Sequence, residues 1–259
     1  MEELNSDVDQ RLIIFTHLPK TAGTTLKHIT QRQYLPNEIF EFYSLTRQPS
    51  KGINVFESLA EHRSNKLKFV TGHIGFGLHR LTPRPCTYIT ILRDPIRRVI
   101  SFYYYLLRNN PNHADLKDCK SLEDFIQRAN IAKNGMTQYL SNAKLKSQLN
   151  YKGGRRKDEQ YYCTKETLEE AKKNLKENFS VIGIMEEFDK VLVLLKRQLG
   201  WQIYPYLKAN VAKKKTPRED LSDKAMHLLE IHSKYDIELY QYARQLFYEM
   251  IEHKGNSFS

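Results

Sequence analysis

The chain has 259 residues, and its 41 Lys and Arg against 30 Asp and Glu give a formal net charge of +11 at pH 7. That length suits one α/β domain with a substantial core, and the positive field favours a polyanionic ligand. Three cysteines, Cys86, Cys119 and Cys163, lack C-x-x-C spacing and argue against both disulfides and zinc, and no apolar run is long enough to span a bilayer.

Residues 12–17 form an apolar run that predicts a strand, and a helical pattern follows over residues 24–33. Between them lies Pro19-Lys20-Thr21-Ala22-Gly23-Thr24-Thr25. A helix opening near Thr24 presents N–H groups and the positive end of its dipole. Gly23 admits close approach of an anion, and Lys20 adds a mobile charge. The alternative is an ordinary βα turn with a capping Thr. A Walker A loop is excluded, because its G-x-x-x-x-G-K-S/T order places the Lys after the glycines, whereas Lys20 precedes Gly23.

A second strand is predicted over residues 66–71 and leads into Gly72-His73-Ile74-Gly75. His73 is a candidate base, against the alternative of a structural imidazole, and His17 and His79 are its rivals. The run 86–92 predicts a third strand ending at Arg93-Asp94-Pro95, with Pro95 in the first turn of a helix over 95–107. Arg93 can bind phosphate through two parallel hydrogen bonds, or pair with a neighbouring acid. Tyr103, Tyr104 and Tyr105 read as core and interface rather than as an aromatic platform. Further helices are predicted over 122–129 after the capping candidate Ser121, over 165–176 and 187–199, and twice within 221–252, with a fourth strand over 180–184. Residues 144–157 read as a basic, solvated loop rather than a flap gripping an acceptor. Bases and acids are interspersed along 164–178, the pattern of a solvated face rather than of a nucleic-acid site.

Strands alternating with helices predict a single α/β domain over 11–252, built as a doubly wound parallel sheet flanked by helices, with flexible ends at 1–10 and 253–259. Lys20, His73 and Arg93 each fall at or just past the carboxyl end of a strand. Such ends are where these sheets bind ligands, so three distant segments converge on one cleft.

The order of residues 19–25 resembles the 5′-phosphosulfate loop of the sulfotransferases that use 3′-phosphoadenosine 5′-phosphosulfate (PAPS). Arg93 and Ser101 match that family's 3′-phosphate site, an Arg at a strand end and a Ser one or two turns into the helix. Gly72-His73-Ile74, lying between the two loops, resembles the catalytic segment of the glycan sulfotransferases related to heparan sulfate 2-O-sulfotransferase. Residues 134–140, 179–188 and 210–215 are similar to further segments in the same order. The resemblance implies a P-loop-like fold, PAPS as donor and PAP as product. It implies that Lys20, Thr21, Ala22, Gly23, Thr24, Thr25, Arg93 and Ser101 hold the donor, that Lys20 also stabilises the leaving phosphate, and that His73 deprotonates the acceptor hydroxyl. A sulfonate carries less charge than a transferring phosphoryl group, so this scheme needs no metal. The acceptor is expected to be a carbohydrate or another hydroxylated molecule, neutral or anionic, and no nucleic acid is expected as partner.

Two other readings stand beside this one: a metabolite kinase on a P-loop-like fold, and a polyanion or nucleic-acid binding module without catalysis. Animal relatives of the resembled family are generally membrane-anchored in the Golgi lumen. The polar start Met1-Glu2-Glu3-Leu4-Asn5-Ser6-Asp7 lacks an apolar h-region and predicts instead a cytoplasmic protein, or the catalytic piece of something longer.

Overall fold

The computed structural model describes residues 11–42, 49–62, 66–150, 163–206 and 221–252. Its centre is a five-stranded sheet in the order β2-β3-β1-β4-β5, with every pair parallel. The strands are β1 (Leu12–Thr16), β2 (Ile39–Glu41), β3 (Phe69–Gly72), β4 (Cys86–Leu92) and β5 (Phe179–Ile184). Every residue of β1 and β3 is buried, as parallel strands covered on both faces must be, which is why their sequences are continuous apolar runs.

Register sets the height at which the strands end. Thr16 pairs with Gly72, Phe15 with Ile89, and Thr90 Oγ1 donates to the Thr16 carbonyl at 3.0 Å. The loops after β1, β3 and β4 therefore leave the sheet side by side. The chain passes from β1 toward β2 and β3 on one side, and from β4 toward β5 on the other. The order reverses between β1 and β4, and a crevice opens at their carboxyl ends.

The helices are α1 (Gly23–Thr30), α2 (Pro49–His62), α3 (Pro95–Asn109), α4 (Leu122–Arg128), α5 (Gly135–Leu140), α6 (Ala143–Leu149), α7 (Lys165–Asn178), α8 (Phe188–Leu199), α9 (Asp223–His232) and α10 (Lys234–Glu252). The four predicted strands and the predicted helices are all present, and Ser121 caps α4 by accepting from Asp124 N. The sheet also gains β2, too short to show a period, and α2, α5 and α6 lie where no helix was expected. The expected loop over 144–157 is corrected in its first part. Residues 144–149 belong to α6, because Leu145 and Gln148 fall on one buried face and draw the backbone into helix. Residues 151–157, both expected flexible ends and residues 210–215 lie outside the described residues.

A second apolar cluster joins α3, α4 and α9 through Val99, Phe125, Ile126 and Leu229. Tyr103 and Tyr104 pack on it, as expected of core aromatics. A buried ion pair ties this part to the sheet. Arg98 of α3 donates to Asp236 Oδ2 at 3.1 Å, with both side chains essentially inaccessible. Asp236 also accepts from Met136 N, Thr137 N and Thr137 Oγ1, which seats its carboxylate on the first turn of α5. Asn134, in a left-handed conformation at the start of α5, returns the cap by accepting from Tyr235 N and Asp236 N. Removing one partner of such a pair leaves an uncompensated buried charge. Asp236→Ala should therefore lower stability by about 3–5 kcal/mol, read from urea unfolding, and a loss below about 1 kcal/mol, the range of exposed pairs, would show that the network is dispensable.

Candidate functional site

The loop after β1 is bent by two non-glycine residues at positive φ, Lys20 (69°) and Ala22 (66°). Thr21, fully buried, locks the bend by donating from Oγ1 to the Leu18 carbonyl at 2.8 Å. Ala22 occupies the N-cap of α1 and supplies no side-chain acceptor to the first turn, where the positive end of the helix dipole lies. Thr24 is exposed at that end and Thr25 is buried.

Gly23 is required here for space. A Cβ at this position would lie 1.7 Å from His17 Nε2, so the imidazole rests directly on the backbone that opens α1. The His17 ring stacks on Phe15 on one side and lies 4.5 Å from the His73 ring. Burial, His73 and Lys20 together hold His17 well below the ordinary imidazole range, and it is a neutral spacer.

His73 follows β3 and is half-buried. Its Nδ1 lies 2.9 Å from the His17 carbonyl oxygen. A carbonyl can only accept, so Nδ1 carries the proton and Nε2 keeps its lone pair. Burial lowers the His73 pKa, the bond to His17 opposes that, and the charge of Lys144 lowers it further. The rival His79 is engaged elsewhere, with Nδ1 at 2.9 Å from the Tyr88 hydroxyl and its ring against Phe76.

Arg93, at the end of β4, donates to the Lys20 carbonyl at 3.1 Å and so joins the first and third loops. Asp94 is occupied with capping α3, where Oδ1 accepts from Arg97 N, while its own N–H donates to Glu186. The charges of Glu186 and Asp94 support the Arg93 guanidinium, while its hydrogen bond goes to the Lys20 carbonyl. Ser101 lies one helical turn before Tyr105, on the same face of α3. Tyr105 faces the loop: Lys20 Nζ sits 4.0 Å from its ring centroid. Burial first, and then the charges of Arg93 and Arg108, bring the Lys20 pKa down to about 8.

Lys20, His73 and Arg93 are therefore brought together as expected, with the residues of loop 20–25 around them, and Ser101 shares the stripe of α3 that meets the loop. Sequence reading passed over Tyr105 as core and did not single out Arg108, Lys144 or Gln148. The signal for Tyr105 and Arg108 was present as the i, i+4, i+7 spacing from Ser101. Lys144 and Gln148 reach His73 only through tertiary packing. Among the described residues, no group of three His, Cys, Asp or Glu side chains is arranged to hold a metal ion.

Sequence comparison gives this arrangement a context. The galactose-3-O-sulfotransferase family matches residues 4–258. Heparan sulfate 2-O-sulfotransferase 1 of Xenopus laevis is 24% identical over 208 residues, covering 76% of this chain and 58% of that protein. The Homo sapiens protein of the same name is 22% identical over 200 residues, 74% and 55%. Uronyl 2-sulfotransferase of Mus musculus is 28% identical over 195 residues, 62% and 42%. The chain spans little more than half the length of the heparan sulfate relatives it matches. The expected resemblance to the glycan sulfotransferases is borne out by these matches.

The expected cytoplasmic location is corrected by the same relatives, since heparan sulfate 2-O-sulfotransferases act on glycosaminoglycans in the Golgi lumen. The polar composition of residues 1–7 describes only those residues and carries no weight against that finding. Among the described residues, no helix is long and apolar enough to cross a membrane.

The contact of Gly23 with His17 can be tested as a coupled pair. Gly23→Ala should destabilise by about 1–3 kcal/mol through overpacking, and His17→Ala in the same chain should recover part of that loss. Strictly additive unfolding free energies in the double-mutant cycle would show that the two sites do not meet.

Proposed function

This chain belongs to the galactose-3-O-sulfotransferase family, and we propose that its described domain, over residues 11–252, transfers the sulfuryl group of PAPS to a hydroxyl of a carbohydrate acceptor by in-line displacement. The observation that carries this reading is the orientation of His73. Its Nδ1–H is bonded to His17, which leaves Nε2 as a base within the crevice that also holds Lys20 and Arg93.

The roles follow from the chemistry of each group. Lys20, Thr21, Ala22, Gly23, Thr24 and Thr25 form the cradle for the 5′-phosphosulfate, with the α1 dipole supporting its charge. Arg93 and Ser101 hold the 3′-phosphate, which distinguishes PAPS from nucleotides without one. His73 Nε2 takes the acceptor proton as the acceptor oxygen bonds to sulfur and the bond from sulfur to the phosphate oxygen breaks. Negative charge grows on that oxygen, and Lys20 stabilises it more in the transition state than in the ground state. The relatives' names, heparan sulfate, uronyl and galactose, support a sugar hydroxyl as the acceptor. Incubation with labelled PAPS and a panel of sulfated, uronate-containing and neutral galactose-containing glycans tests the transfer itself, and failure to label any of them while phenols or lipids are labelled would overturn the carbohydrate assignment.

Donor binding can be measured without an acceptor. In calorimetry PAP should bind more tightly than AMP, and Arg93→Ala should remove most of that preference. Equal affinity for PAP and AMP in the parent protein would overturn the 3′-phosphate site.

The pH dependence follows from two groups whose useful forms are opposite. His73 acts when neutral, and its lowered pKa places the acid limb of kcat/KM for PAPS below the ordinary histidine value of about 6.5. Lys20 acts when charged, so the rate falls as pH rises through about 8. Lys20→Ala should remove that alkaline limb and lower kcat by roughly 10²-fold. An unchanged limb would assign it to another group.

A further inference from the structure

We propose that Gln148 is a positioning residue for His73, holding the loop that carries the base by a two-point clamp on its backbone. The inference rests on the reading of His73 as the base. Gln148 lies on α6, and its side chain is buried. Its Nε2 donates to the His73 carbonyl at 2.9 Å, and its Oε1 accepts from Gly75 N at 3.0 Å. One side-chain amide thus spans the two peptide groups that flank Ile74, which is itself buried.

The clamp and the bond from His73 Nδ1 to His17 act on the same short segment. His17 sets the direction of the ring, and Gln148 sets the path of the backbone from which the ring projects. A short loop leaving β3 without the clamp would keep only one of these anchors, and Nδ1–H could lose its line to the His17 carbonyl. The ring would then sample the other tautomer, whose Nε2 carries a proton and cannot act as a base.

The close approach of α6 depends on Gly75. A Cβ on Gly75 would lie 2.6 Å from Leu145 N and 2.8 Å from Lys144 Cβ, so only glycine lets the helix come close enough for Gln148 to reach both groups. The same helix brings the charge of Lys144 to bear on the imidazole. Among the described residues, the charged and titratable groups acting on His73 include His17 from the end of β1 and Lys144 from α6.

The test uses the whole chain labelled with ¹⁵N-histidine, with the His73 ring signals identified by their loss in His73→Ala. In the parent protein Nδ1 should be the protonated nitrogen of neutral His73. Gln148→Leu should shift the tautomer ratio toward the Nε2–H form and lower kcat roughly 10-fold, the scale on which partners that orient a functional imidazole act, with PAP affinity unchanged within about twofold, well inside one order of magnitude. Gln148→Glu keeps an acceptor for Gly75 N and loses the donor to His73, and it should move the acid limb of the pH profile upward because a carboxylate beside the ring favours the imidazolium. A Gln148→Leu protein with normal PAP affinity, normal tautomer and normal kcat would overturn the proposal. Loss of PAP binding in both variants would overturn it equally, since Gln148 would then serve the fold at large. Retention of activity by His73→Ala would instead remove the base assignment, an outcome separate from the effect of Gln148 on the ring.

Discussion

His17 donates its backbone N–H to Gly72, accepts through its carbonyl from His73 Nδ1, and lays its ring against the backbone of Gly23. The loop that presents α1's N-terminus and the loop that presents the imidazole are thereby fixed to one residue. Burial makes this possible. An imidazole kept neutral in a buried setting is a flat, rigid spacer, and its place stacked on Phe15 and tilted against His73 sets the distance between two loops that share no sequence proximity.

The charges act on that frame in one direction. Burial is the largest influence on both Lys20 and His73, and the charges named beside them, Arg93 and Arg108 for the lysine and Lys144 for the histidine, are positive. Desolvation and like charge thus push the same way, lowering the lysine toward its titration range and keeping the imidazole neutral. An anion entering the crevice would relieve the crowding of Lys20, Arg93 and Arg108. The net charge of +11 is consistent with that demand at long range, but local placement gives it a use.

The buried pair of Arg98 and Asp236 links the fold to the site through α3. Arg98 stands three residues before Ser101 and seven before Tyr105 on the same helix. Its attachment to the start of α10 and the first turn of α5 therefore sets how α3 is rotated over the loop after β1. One turn earlier Asp94 caps the same end of the helix and Glu186 holds the Asp94 N–H, with Tyr240 donating to the same carboxylate. A helix anchored twice in its first turn presents Ser101, Tyr105 and Arg108 as one stripe.

Local chemistry made much of this visible in the residue order. The apolar runs at 12–16 and 88–92 are buried, so they read as parallel strands from their own composition. Pro95 and Ser121 mark helix starts by their backbone and hydrogen-bonding preferences alone. The positions of Lys20, His73 and Arg93 at strand ends followed from the same reasoning. Short elements did not declare themselves: β2 has three residues, and α6 shows its buried face only through Leu145 and Gln148. The tautomer of His73, the demand for glycine at 23 and the role of Tyr105 were decided by tertiary structure. Each rests on an atom brought from elsewhere in the chain, the His17 carbonyl, the His17 ring and the Lys20 ammonium, and a residue's own periodicity carries no record of which distant group will be packed against it.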